Sequence, residues 1–178
     1  LCGCGVSFKL ARAIHTQLGN NPDDLLHYLD LVAVATAADM VPLHGENRVL
    51  LREGLKQLTY RPRLGLRMLA DQAGTRLSQA TVRSITFSLG PRINAAGRLG
   101  DAARAVNLLL ADDQIEATAR ARQLERLNEE RRALDRKTQK EAFAQADRFL
   151  AGKERHALVL HHPQWHLGVI GIVASRLV

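Results

Sequence analysis

The stretch 89–102 reads Leu-Gly-Pro-Arg-Ile-Asn-Ala-Ala-Gly-Arg-Leu-Gly-Asp-Ala and sets two guanidinium groups and one amide among three glycines. Arg92 and Arg98 offer planar forks that match two oxygens of a phosphate, and Asn94 can donate to a third. Gly90, Gly97 and Gly100 give the backbone freedom to approach a ligand closely or to take positive φ. No acid interrupts the segment before Asp101, which reads as the N-cap of a helix over Ala102–Ala111. The chemistry that suits this pattern is retention of an anion, with phosphate the best match. The competing reading is a polar loop that bonds its own backbone and neighbouring helix ends.

Other candidates are more scattered. Asp39 closes the apolar run Leu31–Met40 just before Val41, Pro42 and Leu43, so it is either a turn residue or an oxygen ligand for a hard divalent cation. His166 stands before Leu167 and Gly168 at the expected start of a helix, where an imidazole can donate to phosphate. Ser175 and Arg176 follow about two turns later and are weaker candidates of the same kind. His161, His162 and His166 lack the further ligands of a zinc site. The chain carries no Gly-x-Ser-x-Gly elbow, no Walker-type loop and no dinucleotide fingerprint.

Charge supports the same region. The chain has 178 residues and a net charge of +7, and residues 41–111 carry eleven bases against four acids. Residues 1–40 carry two bases and four acids, and residues 112–155 eleven and ten. Twenty of the 25 basic residues are arginine, the side chain best matched to phosphate. An apolar fraction of 46% fits a globular chain, and no run of 18 apolar residues predicts a membrane span. Cys2 and Cys4 are too close to bridge, which fits a reduced, cytoplasmic setting.

The elements that must position these groups read as mostly helical: Val6–Leu18, about Asp23–Ala38, Asn47–Leu58 and Pro62–Ala73, with Ser78 capping a segment to Thr86. From Asp113 to Leu150 there is no Gly or Pro, and Asp113 with Glu116 forms a capping-box pattern. One helix of that length would span roughly 57 Å. Leu124, Leu127 and Leu134 give it only a thin apolar stripe, the pattern of a connector between two bodies. After Gly152 a strand over His156–Leu160, a loop and a helix from Gly168 predict the first βα unit of a second domain. The chain opens on a glycine turn and closes in an apolar helix with no stop signal, which predicts an internal piece of a longer protein.

Taken together, three segments resemble the RecJ single-strand-specific exonucleases of the DHH phosphoesterase superfamily. The run from Asp30 to Leu43, Asp-Leu-Val-Ala-Val-Ala-Thr-Ala-Ala-Asp-Met-Val-Pro-Leu, followed by Gly45-Glu46-Asn47-Arg48, is similar to the fourth metal motif of that family. The Gly90–Arg98 segment is similar to its Pro-Arg-Ile-Asn-Ala-Ala-Gly-Arg motif, and Trp165–Leu177 resembles the opening of its DHH-associated domain. Gly3–Leu10 resembles the segment after the Asp-His-His triplet. The resemblance implies an α/β fold, mostly helical in this piece: the C-terminal part of a DHH domain over 1–111, a connector helix over 112–152, and a truncated DHH-associated domain over 153–178.

It also implies a hydrolase that digests single-stranded DNA in repair and recombination, using two Mn²⁺ or Mg²⁺ ions. Asp39 would be one metal ligand and a catalytic residue. Arg92, Asn94, Arg98, His166, Ser175 and Arg176 would bind the strand. Helicases and single-strand-binding proteins are the implied partners, with no membrane. The other metal motifs of the family are absent from these residues, so this piece is expected to be inactive alone. Two other readings stay open: a metal-ligand-deficient relative serving as a replication scaffold, and a phosphoesterase of short oligonucleotides.

Overall fold

Asp113 starts the longest element by accepting the Glu116 N–H through its carboxylate at 2.7 Å, and the helix then runs unbroken for 37 residues over Gln114–Leu150. In the computed structural model, which describes residues 1–39, 41–151 and 156–177, this is α8. Before it come α1 (Gly3–Gln17), a 3₁₀ segment (Pro22–Tyr28), α2 (Leu29–Ala38), α3 (Gly45–Tyr60) and α4 (Leu64–Gln72). A 3₁₀ turn (Leu77–Gln79), a short α5 (Val82–Ser84) and one π-turn (Ile85–Leu89) lead into α6 (Gly90–Leu99) and α7 (Ala103–Leu109). The last element is α9 (Leu167–Ala174).

The core forms around α2, where Val32, Ala33, Val34, Thr36 and Ala37 are all buried. An apolar helix buried on nearly every side needs neighbours close by, and glycines supply the clearance. A Cβ on Gly54 of α3 would overlap the Leu29 carbonyl, and one on Gly65 of α4 the Leu108 carbonyl. Leu58, Leu66, Leu69, Ile85, Leu89 and Leu108 fill the interior between these helices. Asp30 is 1% exposed, a costly place for a carboxylate unless it is fully paired. Arg63 meets it with Nε at 2.6 Å and Nη2 at 2.8 Å, and the Leu31 N–H donates a third bond.

Four expectations require correction. Every regular element among the described residues is helical, so the α/β reading has no strand behind it there. The segment His156–Leu160 forms no ladder, because an isolated extended segment leaves its backbone groups without a partner strand. The capping residue before the π-turn is Thr81, whose hydroxyl and Ser84 form a reciprocal capping box, and not Ser78. On α8 the buried stripe runs through Ala117, Ala121, Leu124, Leu127, Asn128, Asp135, Thr138, Ala142 and Ala146, which leaves Leu134 half-buried beside it. The expected boundary between connector and second domain, residues 152–155, and the Met40 end of the apolar run lie outside the described residues.

The C-terminal segment turns back along α8. Trp165 Nε1 donates to Glu141 at 2.8 Å, and Gln145 reaches the His161 carbonyl at 3.4 Å. Val169 and Val173 of α9 bury against the second half of α8. One helix thus packs the α2-centred body along its first half and α9 along its second, and the two meet beside the C-terminal end of α6.

Candidate phosphate-binding cleft

The arginine-glycine segment is a helix, not a loop: 90–99 is α6, and none of Gly90, Gly97 and Gly100 takes a positive φ. Gly90 serves close packing, since a Cβ there would press on the Ala38 Cβ at 3.1 Å. Thr86 adds a bond from Oγ1 to the Ala37 carbonyl at 2.6 Å. These contacts dock the start of α6 on the end of α2, where Asp39 is the exposed C-cap with its N–H on the Ala35 carbonyl at 3.0 Å. Asp39 therefore lies beside the N-terminal end of α6, with Arg98 about 12 Å further along the helix.

Helical geometry separates the three predicted contacts. At 100° per residue Asn94 and Arg98, four apart, share one face, whereas Arg92 points to the opposite side. Asn94 and Arg98 are exposed accordingly. Arg92 is 7% exposed, and all three of its nitrogens are occupied: Nε and Nη2 by Glu125 of α8, and Nη1 by the Ser88 carbonyl at 2.7 Å. The expectation that Arg92 reaches outward thus gives way to an ion pair that fixes α6 on α8. Asp101 accepts the Ala103 N–H at 2.8 Å, but the N-cap of α7 is Ala102, one residue later than expected.

At its C-terminal end α6 meets α9. Arg98 Nη1 donates to the Gly168 carbonyl at 3.1 Å, and Gly168 lies so close to the Arg98 carbonyl that a Cβ would overlap it. His166 is the N-cap of α9, its Nδ1 accepting the Gly168 N–H at 3.0 Å. With Nδ1 accepting, Nε2 is the ring nitrogen left to donate, the atom a phosphate would use. Arg98, Asn94 and His166 therefore share one region. Ser175 and Arg176 sit at the far end of α9 and are committed elsewhere. Ser175 Oγ donates to the Ile172 carbonyl at 2.8 Å, and Arg176 binds Asp135 through both Nη atoms at 3.1 Å and Gln139 at 2.9 Å.

Two residues of the region were not singled out from the sequence. Asn128 and Arg131 occupy the inner face of α8 between its two packed halves, Arg131 Nη2 donating to Asn128 Oδ1 at 3.0 Å. Their signal was a polar residue placed where the stripe of Leu124 and Leu127 should continue. Burial lowers the proton affinity of the Arg131 guanidinium below the ordinary arginine value. Arg132, Arg98 and Arg176 act in the same direction, and Asp135 opposes them.

A metal centre does not assemble from the described residues alone: no three His, Cys, Asp or Glu side chains among them converge. Asp39 could supply one carboxylate to a site completed by other residues.

These features define a helical module in which one long helix packs an α2-centred body along its first half and α9 along its second, with Arg98 at the junction. Across its full 178 residues the chain is 42% identical to the single-stranded-DNA-specific exonuclease RecJ of Bacillus subtilis, covering 22% of that protein. Against RecJ of Thermus thermophilus the identity is 44% over 98% of the chain and 25% of the relative. The crystal structure of Thermus thermophilus RecJ in complex with Mg²⁺ superposes with a TM-score of 0.85, covering 97% of this chain and 26% of that one at 44% identity. A crystal structure of exonuclease RecJ bound to manganese gives 0.84, covering 42% of that chain at 43% identity. No family model matches. The chain belongs to the RecJ family, and it spans about a quarter of the length of these two curated relatives.

Proposed function

We propose that this chain supplies the strand-holding part of a metal-dependent exonuclease that hydrolyses single-stranded DNA. The observation that carries the reading is the pairing of Asn94 and Arg98 on one exposed face of α6, with the His166-capped start of α9 locked against it. Such donors suit successive phosphates of one strand, and phosphate contacts hold a backbone without reading its sequence. RecJ relatives described as single-stranded-DNA-specific exonucleases, with crystal structures holding Mg²⁺ or Mn²⁺, support both the substrate class and the metals. Asp39, beside the N-terminal end of α6, is then a ligand in a two-ion site completed by residues beyond those described here, and such ions stabilise charge on the scissile phosphate.

In this reading residues 1–111 complete a DHH domain, 112–152 connect, and 153–178 open the DHH-associated domain. The activity serves DNA repair and recombination, with helicases or single-strand-binding proteins as partners. No described helix is long and apolar enough to cross a membrane. With one carboxylate of the metal set, residues 1–178 bind a strand without cutting it. The test is incubation of purified 1–178 with labelled single-stranded DNA and Mn²⁺. Retention of the strand with no digestion is expected. Metal-dependent digestion abolished by Asp39→Ala would overturn the division of labour.

A further inference from the structure

From Val82 to Leu99 the chain runs as one helix: α5, the π-turn and α6 follow without a break, with helical backbone angles at each junction. Ile85 and Leu89 turn inward and are buried, whereas Phe87 between them turns out and is 67% exposed. At 100° per residue, positions 87, 94 and 98 fall within about 40° of one another, and the wider π-turn shifts residue 87 by only a few tens of degrees. Phe87 thus stands on the same exposed face as Asn94 and Arg98, roughly 10 Å along the helix before Asn94.

The neighbours of Phe87 fix where the ring stands and how it is held. Thr86 bonds the Ala37 carbonyl at 2.6 Å and Gly90 packs on Ala38, so the residues around Phe87 dock on the end of α2 that carries Asp39. On its other side the Ser88 hydroxyl meets that of Thr75 at 2.5 Å. The backbone beneath the ring is therefore anchored on two sides. Arg83, one turn back and exposed, brings its guanidinium to 5.6 Å from the ring centroid, a cation–π contact. Single strands are held by bases stacked on aromatic faces and a backbone tracked by cations, and this helix face offers both. A scattered exposed phenylalanine needs no ligand; its alignment with Asn94 and Arg98 distinguishes this one.

We propose that Phe87 is a stacking platform for one nucleobase of the bound strand, set at the Asp39 end of the helix that carries Asn94 and Arg98, with Arg83 supporting the ring. The platform rests on the strand reading given above and adds a requirement to it: a base, and not only a phosphodiester backbone, must be present at that position. Because every base has a π-face, the platform accepts any sequence but not an abasic nucleotide.

The test uses the 178-residue chain, a fluorescein-labelled oligothymidylate, an abasic tetrahydrofuran strand of equal length, and the variants Phe87→Ala, Phe87→Leu and Arg98→Gln. Binding is read by anisotropy across a salt series and folding by thermal melting. Phe87→Ala is expected to weaken oligothymidylate binding by about tenfold, the size of one base–aromatic stack, and to bind the abasic strand as the unsubstituted chain does. Phe87→Leu keeps apolar bulk without the ring and should lose nearly as much. The slope of log affinity against log salt should stay unchanged in both, because no phosphate contact is removed. A strand carrying 5-iodouracil should photo-crosslink to residue 87 of the unsubstituted chain. Weakened binding by Arg98→Gln beside normal binding by Phe87→Ala would overturn the platform and leave the strand reading standing. Normal binding by both would overturn the strand reading as well. Full affinity in Phe87→Leu would reduce the contact to apolar burial, against stacking. An equal loss on both strands, or a Tm lowered by several degrees, would make Phe87 a packing residue, against the proposal.

Discussion

Arg98 and Gly168 hold each other from both sides: the Arg98 guanidinium donates to the Gly168 carbonyl at 3.1 Å, while the Arg98 carbonyl fills the space where a Cβ on residue 168 would sit. The two lie 70 positions apart in the sequence, and their contact helps close the arc between α6 and α9. Gly168→Ala must push the two apart, at a cost of roughly 1–3 kcal/mol for a steric insertion into a packed contact. Amide hydrogen exchange of α9 should speed up while that of α2 and α3 stays unchanged, since their contacts do not involve this residue. Unchanged protection of α9 would show that the junction does not depend on it.

Glu125→Ala leaves the 7%-exposed Arg92 without its carboxylate partner. Breaking one side of a buried pair typically costs about 3–5 kcal/mol, mostly from the charge left behind. Chemical denaturation should show a loss of that order, and Arg92→Met with Glu125→Leu should recover most of it. A loss under about 0.5 kcal/mol would place the pair among surface ion pairs of small effect.

Cys4 titrates above the ordinary thiol range, because burial disfavours the thiolate and Cys2 and Asp30 add negative charge nearby. The folded value is raised, so its contribution to stability is complete below the unfolded thiol pKa and is lost as pH rises through the folded one. In a Cys2→Ser background, alkylation of the native chain by iodoacetamide should reach its half-maximal rate at a higher pH than in the urea-unfolded chain. Equal midpoints would contradict the burial argument.

Much of this arrangement was legible in the sequence because it follows from local chemistry. Asp113 and Glu116 marked the start of α8, and the absence of Gly and Pro up to Leu150 marked its length. Tertiary packing decided what remained. Read as a string, Arg92 and Arg98 are equivalent guanidiniums; once 90–99 is helical, a six-residue separation turns them about 120° apart, and Glu125 takes the inner one. Gly90, read from the sequence as a source of backbone freedom, proved to be a clearance for Ala38. The strand expected over His156–Leu160 depends on partner strands, which local periodicity does not supply. Asn128 was hidden for the opposite reason: one polar residue within a charged helix looks ordinary until its burial is known.

Removal of divalent metal separates holding from cutting. Strand retention by 1–178 should be the same in EDTA as in Mn²⁺, because guanidinium, amide and imidazole donors need no ion to bind phosphate. A loss of binding in EDTA greater than about tenfold would mean that a metal bridges protein and strand.

The most direct test of the central claim is single-strand binding by Arg98→Ala against salt concentration, on homopolymeric and mixed sequences. The account predicts a loss of roughly 1–3 kcal/mol that is the same for every sequence, with a shallower salt dependence. Affinity equal to that of the unsubstituted chain, or a loss confined to one sequence, would contradict it.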